Sequence, residues 1–370
     1  MKIAIVHELL TRRGGAERVA RIFADMFPEA PIFTLLYNKQ KLGEWFPEER
    51  VQSAKFKLPH SLLPPPLKYN HHLYLSKFPS AVEAWDFSDY DVVLSSSSAF
   101  AHGIITNSAP KHVCYVHSPA RYLWDSTHEV LESAGKGPIG WIKRPWLKHT
   151  FHKLRVWDTE AAARADVLLA NSKEVQHRIE SYWRRESKVV YPPIEDFWLE
   201  NEVQTDKKGF YLIVSTLTPY KRIDRAIEAC NNLQVPLKIA GEGRDKKRLE
   251  KLAGPTVELL GYQSNEAVRD LYTRSKAVLF PGKDDFGLVP VEAMACGAPV
   301  IALKDGGALE TVREDETGFF FVSPTAESLE QTIHQTRSME VDPHTCRLHA
   351  KKFSREEFEK SIHQEISRVL

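Results

Sequence analysis

The chain is 370 residues long, 42% of them hydrophobic, with 50 Lys and Arg against 49 Asp and Glu. That length exceeds what one hydrophobic core serves and predicts two domains of roughly 150 to 200 residues, while the balanced charge excludes a nucleic-acid binder that works through overall basicity. Cys114, Cys230, Cys296 and Cys346 lie too far apart for a CxxC metal or redox site and read as thiols of a cytosolic core; no apolar run approaches the ~18 residues of a membrane span.

"KIAIV" at residue 2 opens a strand pattern, and "VHELLTRRGGAERVARIF" carries it through Gly14-Gly15 into a helix whose Val19, Ile22, Phe23 and Met26 share a face. Residues 38–90 are less regular. The three consecutive prolines of "LLPPPLKYNHHLYLSKFP" forbid a helix or a central strand, so an irregular insertion is expected there, suited to acceptor specificity. Short β-rich runs follow, "VVL" at 92, "HVCYVH" at 112, "VLLA" at 167 and "KVVYPP" at 188, alternating with helix-length segments as in a parallel sheet flanked by helices. Among them, "KGPIGWIKRPWLKHTFHKLRVWD" interleaves Lys143, Arg144, Lys148, Lys153 and Arg155 with Trp141, Trp146, Leu147 and Phe151. On a helix this pattern suits either an anionic membrane surface or an ordinary packing face with its aromatics in the core.

The prolines and charges of "YPPIEDFWLENEVQTDKKG" place a hinge at residues 191–206, after which the pattern restarts. "FYLIVST" at 210, "PLKIAGEG" at 236, "VELLG" at 257, "AVLFPG" at 277 and "APVIAL" at 298 form a second strand series, so the chain reads as two doubly wound halves. In the tail, Ser354 and Glu357 form a capping box, and Phe358, Ile362 and Ile366 lie on one face of a helix that needs a groove.

Five loops have the composition to carry chemistry. Gly14-Gly15 is either an anion-binding helix N-terminus or a plain tight turn; a full GxGxxG is missing. His117 stands just past a strand's C-terminal edge, where open α/β sheets place ligand groups, and Arg121, Tyr122, Trp124 and Asp125 follow it. Lys221 and Arg222 adjoin a helix start, where cations oppose the helix dipole unless an anion visits; they suit a diphosphate. Gly241 and Gly243 require backbone to pass close to something. After "PGKDDFG" a helix over residues 289–295 carries Glu292, whose two acceptor oxygens suit paired hydroxyls of a ribose or hexose.

Gly-Gly after the first strand, "VHSPARYLWD", "TPYKR", "AGEG" and "DDFGLVPVEAMACGAPVIA" together resemble, in order and over almost the whole chain, the retaining GT-B glycosyltransferases of family 4. Within them they look most like the bacterial O-antigen and polysaccharide mannosyltransferase branch. The resemblance implies an α/β GT-B fold: an acceptor-binding Rossmann-like domain over 1–195, a nucleotide-sugar-binding one over 196–350, a cleft between them, and a tail helix over 351–370 packing back on the first. It further implies a metal-independent transfer without a cofactor, from GDP-mannose to a saccharide or polyprenyl-linked acceptor. The protein would be cytoplasmic, at most peripheral at the inner face of the membrane.

On that resemblance Lys221 neutralises the diphosphate, helped by Arg222, with Gly15, Gly241 and Gly243 close by. Phe286, Gly287 and Leu288 run along sugar and diphosphate, and Glu292 holds the ribose. Asp284 and His117 face the donor sugar, and Arg121 and Asp125 lie on the acceptor side. Two positions depart from the family pattern: Ser215-Thr216-Leu217 stands for Gly-Arg-Leu, and Asp284 for a glutamate. A UDP-sugar transferase, an epimerase or phosphorylase of the same architecture, and a relative that only binds nucleotide sugars are the alternative readings.

Overall fold

A computed structural model describes residues 1–56, 69–107, 109–200, 202–203 and 209–370. The three-proline run and residues 201 and 204–206 of the expected hinge lie outside the described residues. The chain divides into two compact units, Met1–Val190 with Glu359–Leu370, and Tyr191–Phe358.

In the first unit the described residues form an all-parallel sheet in the order Val51–Ser53, Ile32–Thr34, Ile3–His7, Val92–Ser97, Lys111–Val116, Val167–Ala170, Lys188–Val189. The strands Ile3–His7 and Val92–Ser97 are buried along their whole length, as the centre of a sheet covered on both faces requires. The winding reverses between them, in register His7 opposite Ser96, and the residues just past these two strands therefore line the switch point where such sheets hold ligands. Two strands of this sheet depart from the expectation. Ile32–Thr34 was not anticipated, and Val51–Ser53, inside the segment expected to be irregular, is the edge strand.

The tail is the helix Arg355–Val369, with Phe358, Ile362 and Ile366 all buried. Ser354 Oγ accepts from the Glu357 amide at 3.4 Å, the first half of the capping box. From Glu359 onward it belongs to the first unit, where Lys188 Nζ donates to Glu365 at 2.7 Å and His363 packs edge-on against Phe27.

The first unit also buries a carboxyl in apolar surroundings. Asp158, on the helix Gly140–Ala161, accepts from the indole nitrogens of Trp124 at 2.9 Å and Trp183 at 2.6 Å through Oδ2. Among the described residues its Oδ1 has no hydrogen-bond donor, and it lies 3.5 Å from His102 Nε2. Burial pushes the carboxyl up to about 7 and the His102 imidazole down to about 3, so the two do not form a charged pair at neutral pH. The folded-state value lies above the ordinary carboxylate value of 3.8, so the contribution of Asp158 to stability is complete below about pH 4 and is lost as pH rises through 7. Asp158→Asn keeps the shape and the acceptor for both indoles but cannot ionise. The stability of the variant relative to wild type, followed by melting temperature, is expected to rise between pH 5 and pH 8 by about 2 to 3 kcal/mol; an equal offset at both pH values refutes this.

The second unit is an all-parallel sheet in the order Val257–Gly261, Leu237–Ala240, Tyr211–Val214, Ala277–Phe280, Val300–Leu303, Gly318–Phe321. In chain order this is 3-2-1-4-5-6, the dinucleotide-binding winding. Its switch point lies between Tyr211–Val214 and Ala277–Phe280. The edge strand Gly318–Phe321 was not anticipated. None of the four cysteines is in a disulfide among the described residues and all are buried, with burial raising Cys114 and Cys230 to about 12. Among the described residues no helix is long and apolar enough to cross a membrane.

Candidate functional site

In the second unit, the loops leaving the two switch-point strands meet. After Tyr211–Val214 the chain runs to a short 3-10 turn, Pro219–Lys221, and the helix Ile223–Leu233. After Ala277–Phe280 it passes Gly282, where a Cβ would sit 2.8 to 2.9 Å from the backbone of Lys221; glycine is what lets the two loops touch. Lys221 Nζ donates to both carboxylate oxygens of Asp284, at 2.6 and 2.5 Å, and lies over the Tyr220 ring. The structure thus joins two residues singled out separately from the sequence. Both side chains keep partial exposure, 17% and 20%, so a ligand can reach them.

Arg222 adopts a left-handed backbone, φ 52°, and its Nε lies 3.4 Å from Asp224, in the first turn of its own helix. A non-glycine residue held there is strained, a feature typical of functional sites. Gly241 and Gly243 now have their close neighbours. A Cβ at Gly241 would meet the Ser215 carbonyl oxygen at 1.9 Å, and one at Gly243 the Leu217 carbonyl oxygen at 2.2 Å. "AGEG" therefore supports the Ser215-Thr216-Leu217 loop from behind, with Leu217 donating to Glu242 O at 2.9 Å.

The stretch from Asp284 to Leu288 is clamped by the next loop. The Gly307 amide donates to Asp284 O at 2.9 Å, and a Cβ on Gly307 would strike the Phe286 backbone at 2.3 Å. The Phe286 ring is buried, stacked on Tyr191 and edge-on to Phe353, which leaves the main chain as the part of this residue able to face a ligand. Gly287 has φ 85° and starts the helix Leu288–Ala295, whose positive dipole end follows directly on Asp284 to Gly287. Glu292 lies within this helix, 7% exposed, with the Tyr272 hydroxyl 3.5 Å from its Oε2.

In the first unit, Gly15 begins the helix Gly15–Met26, with Gly14 extended as its N-cap. His117 directly follows the strand Lys111–Val116; its amide donates to Ser97 O at 2.8 Å, and its Nε2 lies 2.8 Å from Ser96 Oγ. Burial lowers its imidazole to about 3, so the ring is neutral. Arg121 and Asp125 lie in the turn that follows. Asp125 accepts from the Tyr182 hydroxyl and sits 3.5 Å from Arg178, while the Tyr182 ring stacks on Trp124 at 4.8 Å. Those contacts hold the π-helical turn Ile179–Trp183 in place, a structural task that the sequence did not disclose.

Sequence reasoning also missed Glu8, Glu17, His7 and Ser96, all buried at or near the first switch point. Glu8 Oε1 accepts from the amides of Ser98, Ala99 and Phe100 at 2.5 to 3.0 Å. Burial raises the Glu17 carboxyl to about 7. A Glu after the first strand and a Glu two residues past Gly15 were the available signals.

Two family descriptions match this chain: Glycosyl transferases group 1 over residues 195–353 and Glycosyltransferase Family 4 over residues 13–196. An uncharacterized glycosyltransferase of Methanocaldococcus jannaschii is 26% identical over 200 residues, 53% of this chain and 56% of that one. A GDP-mannose-dependent alpha-mannosyltransferase of Mycobacterium tuberculosis is 27% identical over 176 residues, 47% of this chain and 45% of that one. The chain thus spans about half the length of these relatives. The crystal structure of Anabaena Alr3699/HepE in complex with UDP superimposes with a TM-score of 0.71 over 100% of both chains at 18% identity, a likeness of fold.

Proposed function

The chain belongs to the family 4 glycosyltransferases of GT-B type, and on that premise we propose that it transfers a hexose, with retention and without a metal, from a nucleotide diphosphate sugar to a saccharide or lipid-linked saccharide. The observation that carries this reading is the Lys221–Asp284 pair, at a switch point and next to a helix N-terminus. A departing nucleotide diphosphate gathers negative charge, and an ammonium preset in a partly desolvated site stabilises it. Asp284 holds that ammonium in position until the diphosphate competes for it. Glu292 takes the ribose hydroxyls, the main chain of Phe286 to Leu288 follows the sugar and diphosphate, and Gly15 and Arg222 add contacts to the phosphates. The neutral His117 ring offers a hydrogen bond to the donor sugar, and Arg121 serves the acceptor side beside Asp125.

GDP-mannose is the donor we favour, supported by the mycobacterial mannosyltransferase among the relatives. Incubation with a panel of GDP- and UDP-sugars and saccharide acceptors, with nucleotide diphosphate release as the readout, is expected to show the fastest release from GDP-mannose. A clear preference for a UDP-sugar overturns the donor; no release from any pair overturns the transferase in favour of a binding protein.

The lipid-linked form of the acceptor is supported by the helix Gly140–Ala161. Its second half packs through Phe151, Leu154 and Asp158, but the start stands out in solvent: Ile139 is 65% exposed, Trp141 77%, Ile142 54% and Trp146 49%. Lys143, Arg144 and Lys148 are exposed beside them, and no Asp or Glu occurs between Glu132 and Asp158. Apolar side chains ringed by unopposed cations suit an anionic lipid surface at the inner face of the membrane. Pelleting with anionic phospholipid vesicles is expected to carry down the wild type and to fail for Trp146→Ala/Lys148→Glu; equal pelleting refutes the membrane contact.

A further inference from the structure

Three neighbouring strands of the first sheet end at its switch point, each contributing one side chain to a chain of hydrogen bonds. Ser96, paired in register with His7, places its Oγ 3.0 Å from His7 Nδ1 and 2.8 Å from His117 Nε2. The backbone that leaves Ser96 is itself fixed, because the buried Glu8 carboxylate accepts the three successive amides of Ser98, Ala99 and Phe100. Burial holds both imidazoles neutral, His7 lowered to about 4 and His117 to about 3.

A neutral imidazole has one protonated and one bare nitrogen, and a serine hydroxyl has one proton. Ser96 can donate to one ring only, so for both contacts to be hydrogen bonds at least one ring must donate to the serine. The proton positions on the two rings are therefore linked through Ser96. His117 spends Nε2 on that link, and Nδ1 is the nitrogen left to meet a ligand. Whether Nδ1 offers a proton or accepts one follows from what Nε2 does.

We propose that Ser96 and His7 are positioning residues that fix the ring orientation and tautomer of His117, so that His117 Nδ1 meets a donor-sugar hydroxyl in a single hydrogen-bonding sense. This rests on the reading that His117 faces the donor sugar. Acting through His117, the two residues affect the transfer step more than the affinity for the nucleotide.

A matched control lies one residue away. Ser95 Oγ sits 2.7 Å from Nε2 of the buried His112, the same kind of bond on the opposite face of the strand. Full-length protein with ¹⁵N-labelled histidine, the His117 signals being assigned by their loss in His117→Ala, is compared as wild type, Ser96→Ala and Ser95→Ala. Wild type and Ser95→Ala are expected to show His117 in one tautomer, and Ser96→Ala an averaged pattern. With it, kcat should fall by roughly ten-fold or more while donor KM stays near wild type, and Ser96→Thr should restore both. An unchanged His117 tautomer in Ser96→Ala, or equal kcat losses in Ser96→Ala and Ser95→Ala, overturns the proposal. Full transfer by His117→Ala overturns the underlying role of His117 instead, and is told apart because the ring nitrogen signals of Ser96→Ala are read independently of activity.

Discussion

Lys221→Ala is expected to lower the rate of transfer at saturating donor by about 10²- to 10³-fold, the usual effect of removing one preset charge from a developing anion. The ammonium sits between Asp284 and two rings, Tyr220 and Phe280, within 6 Å, a setting less screened than open solvent. The donor's affinity should change less, because the charge on the diphosphate grows as the glycosidic bond breaks. Asp284→Ala separates this from a merely structural ion pair. If Lys221 serves only to balance Asp284, the double variant recovers most of the activity; if Lys221 acts on the leaving group, the double variant stays as slow as Lys221→Ala. Release of nucleotide diphosphate, with circular dichroism to check folding, measures both. A loss below ten-fold in Lys221→Ala removes leaving-group stabilisation by this residue.

The architecture was legible where a strand carries a continuous apolar run of four or more residues. "FYLIVST" contains Tyr211–Val214 and "AVLFPG" contains Ala277–Phe280, continuous apolar runs of the kind a parallel sheet demands. Val51–Ser53 escaped because an edge strand needs no such run: its three residues are half-buried or exposed, and two are polar. Val92–Ser97 was read only in part. Its serines look like a loop, yet Ser95, Ser96 and Ser97 are buried in the strand because each finds an imidazole, His112, His117 or His102. Partners of this kind, contributed by other elements, leave no local trace. For the same reason Lys221 and Asp284 could be named but not paired: 63 residues separate them, and they meet because the strands leading into their loops are neighbours. Asp125 shows the converse. Its loop position suggested a ligand contact, while its carboxylate holds Tyr182 and Arg178, 57 and 53 residues further on.

Glu292→Ala is expected to weaken donor binding by about 10²-fold with a smaller change in kcat. The helix Leu288–Ala295 is otherwise apolar and buried from Pro290 to Ala295, so a carboxylate in its middle is costly unless it is well hydrogen-bonded. Two ribose hydroxyls donating to a charged acceptor are worth about 1.5–3 kcal/mol each, and at about 1.4 kcal/mol per factor of ten even one such bond spans one to two decades of affinity. Because the ribose does not change during the reaction, this is binding shared by the ground and transition states, and the loss belongs in donor KM. A deoxyribose nucleotide makes the test specific. In wild type, removing a hydroxyl that Glu292 holds should raise the dissociation constant about ten-fold or more; in Glu292→Ala the same removal should cost almost nothing, since the partner is already gone. Calorimetric titration of both proteins with the ribo- and deoxyribonucleotide diphosphates closes that cycle. Equal penalties in the two proteins would place the ribose elsewhere and leave Glu292 as a packing residue beside Tyr272.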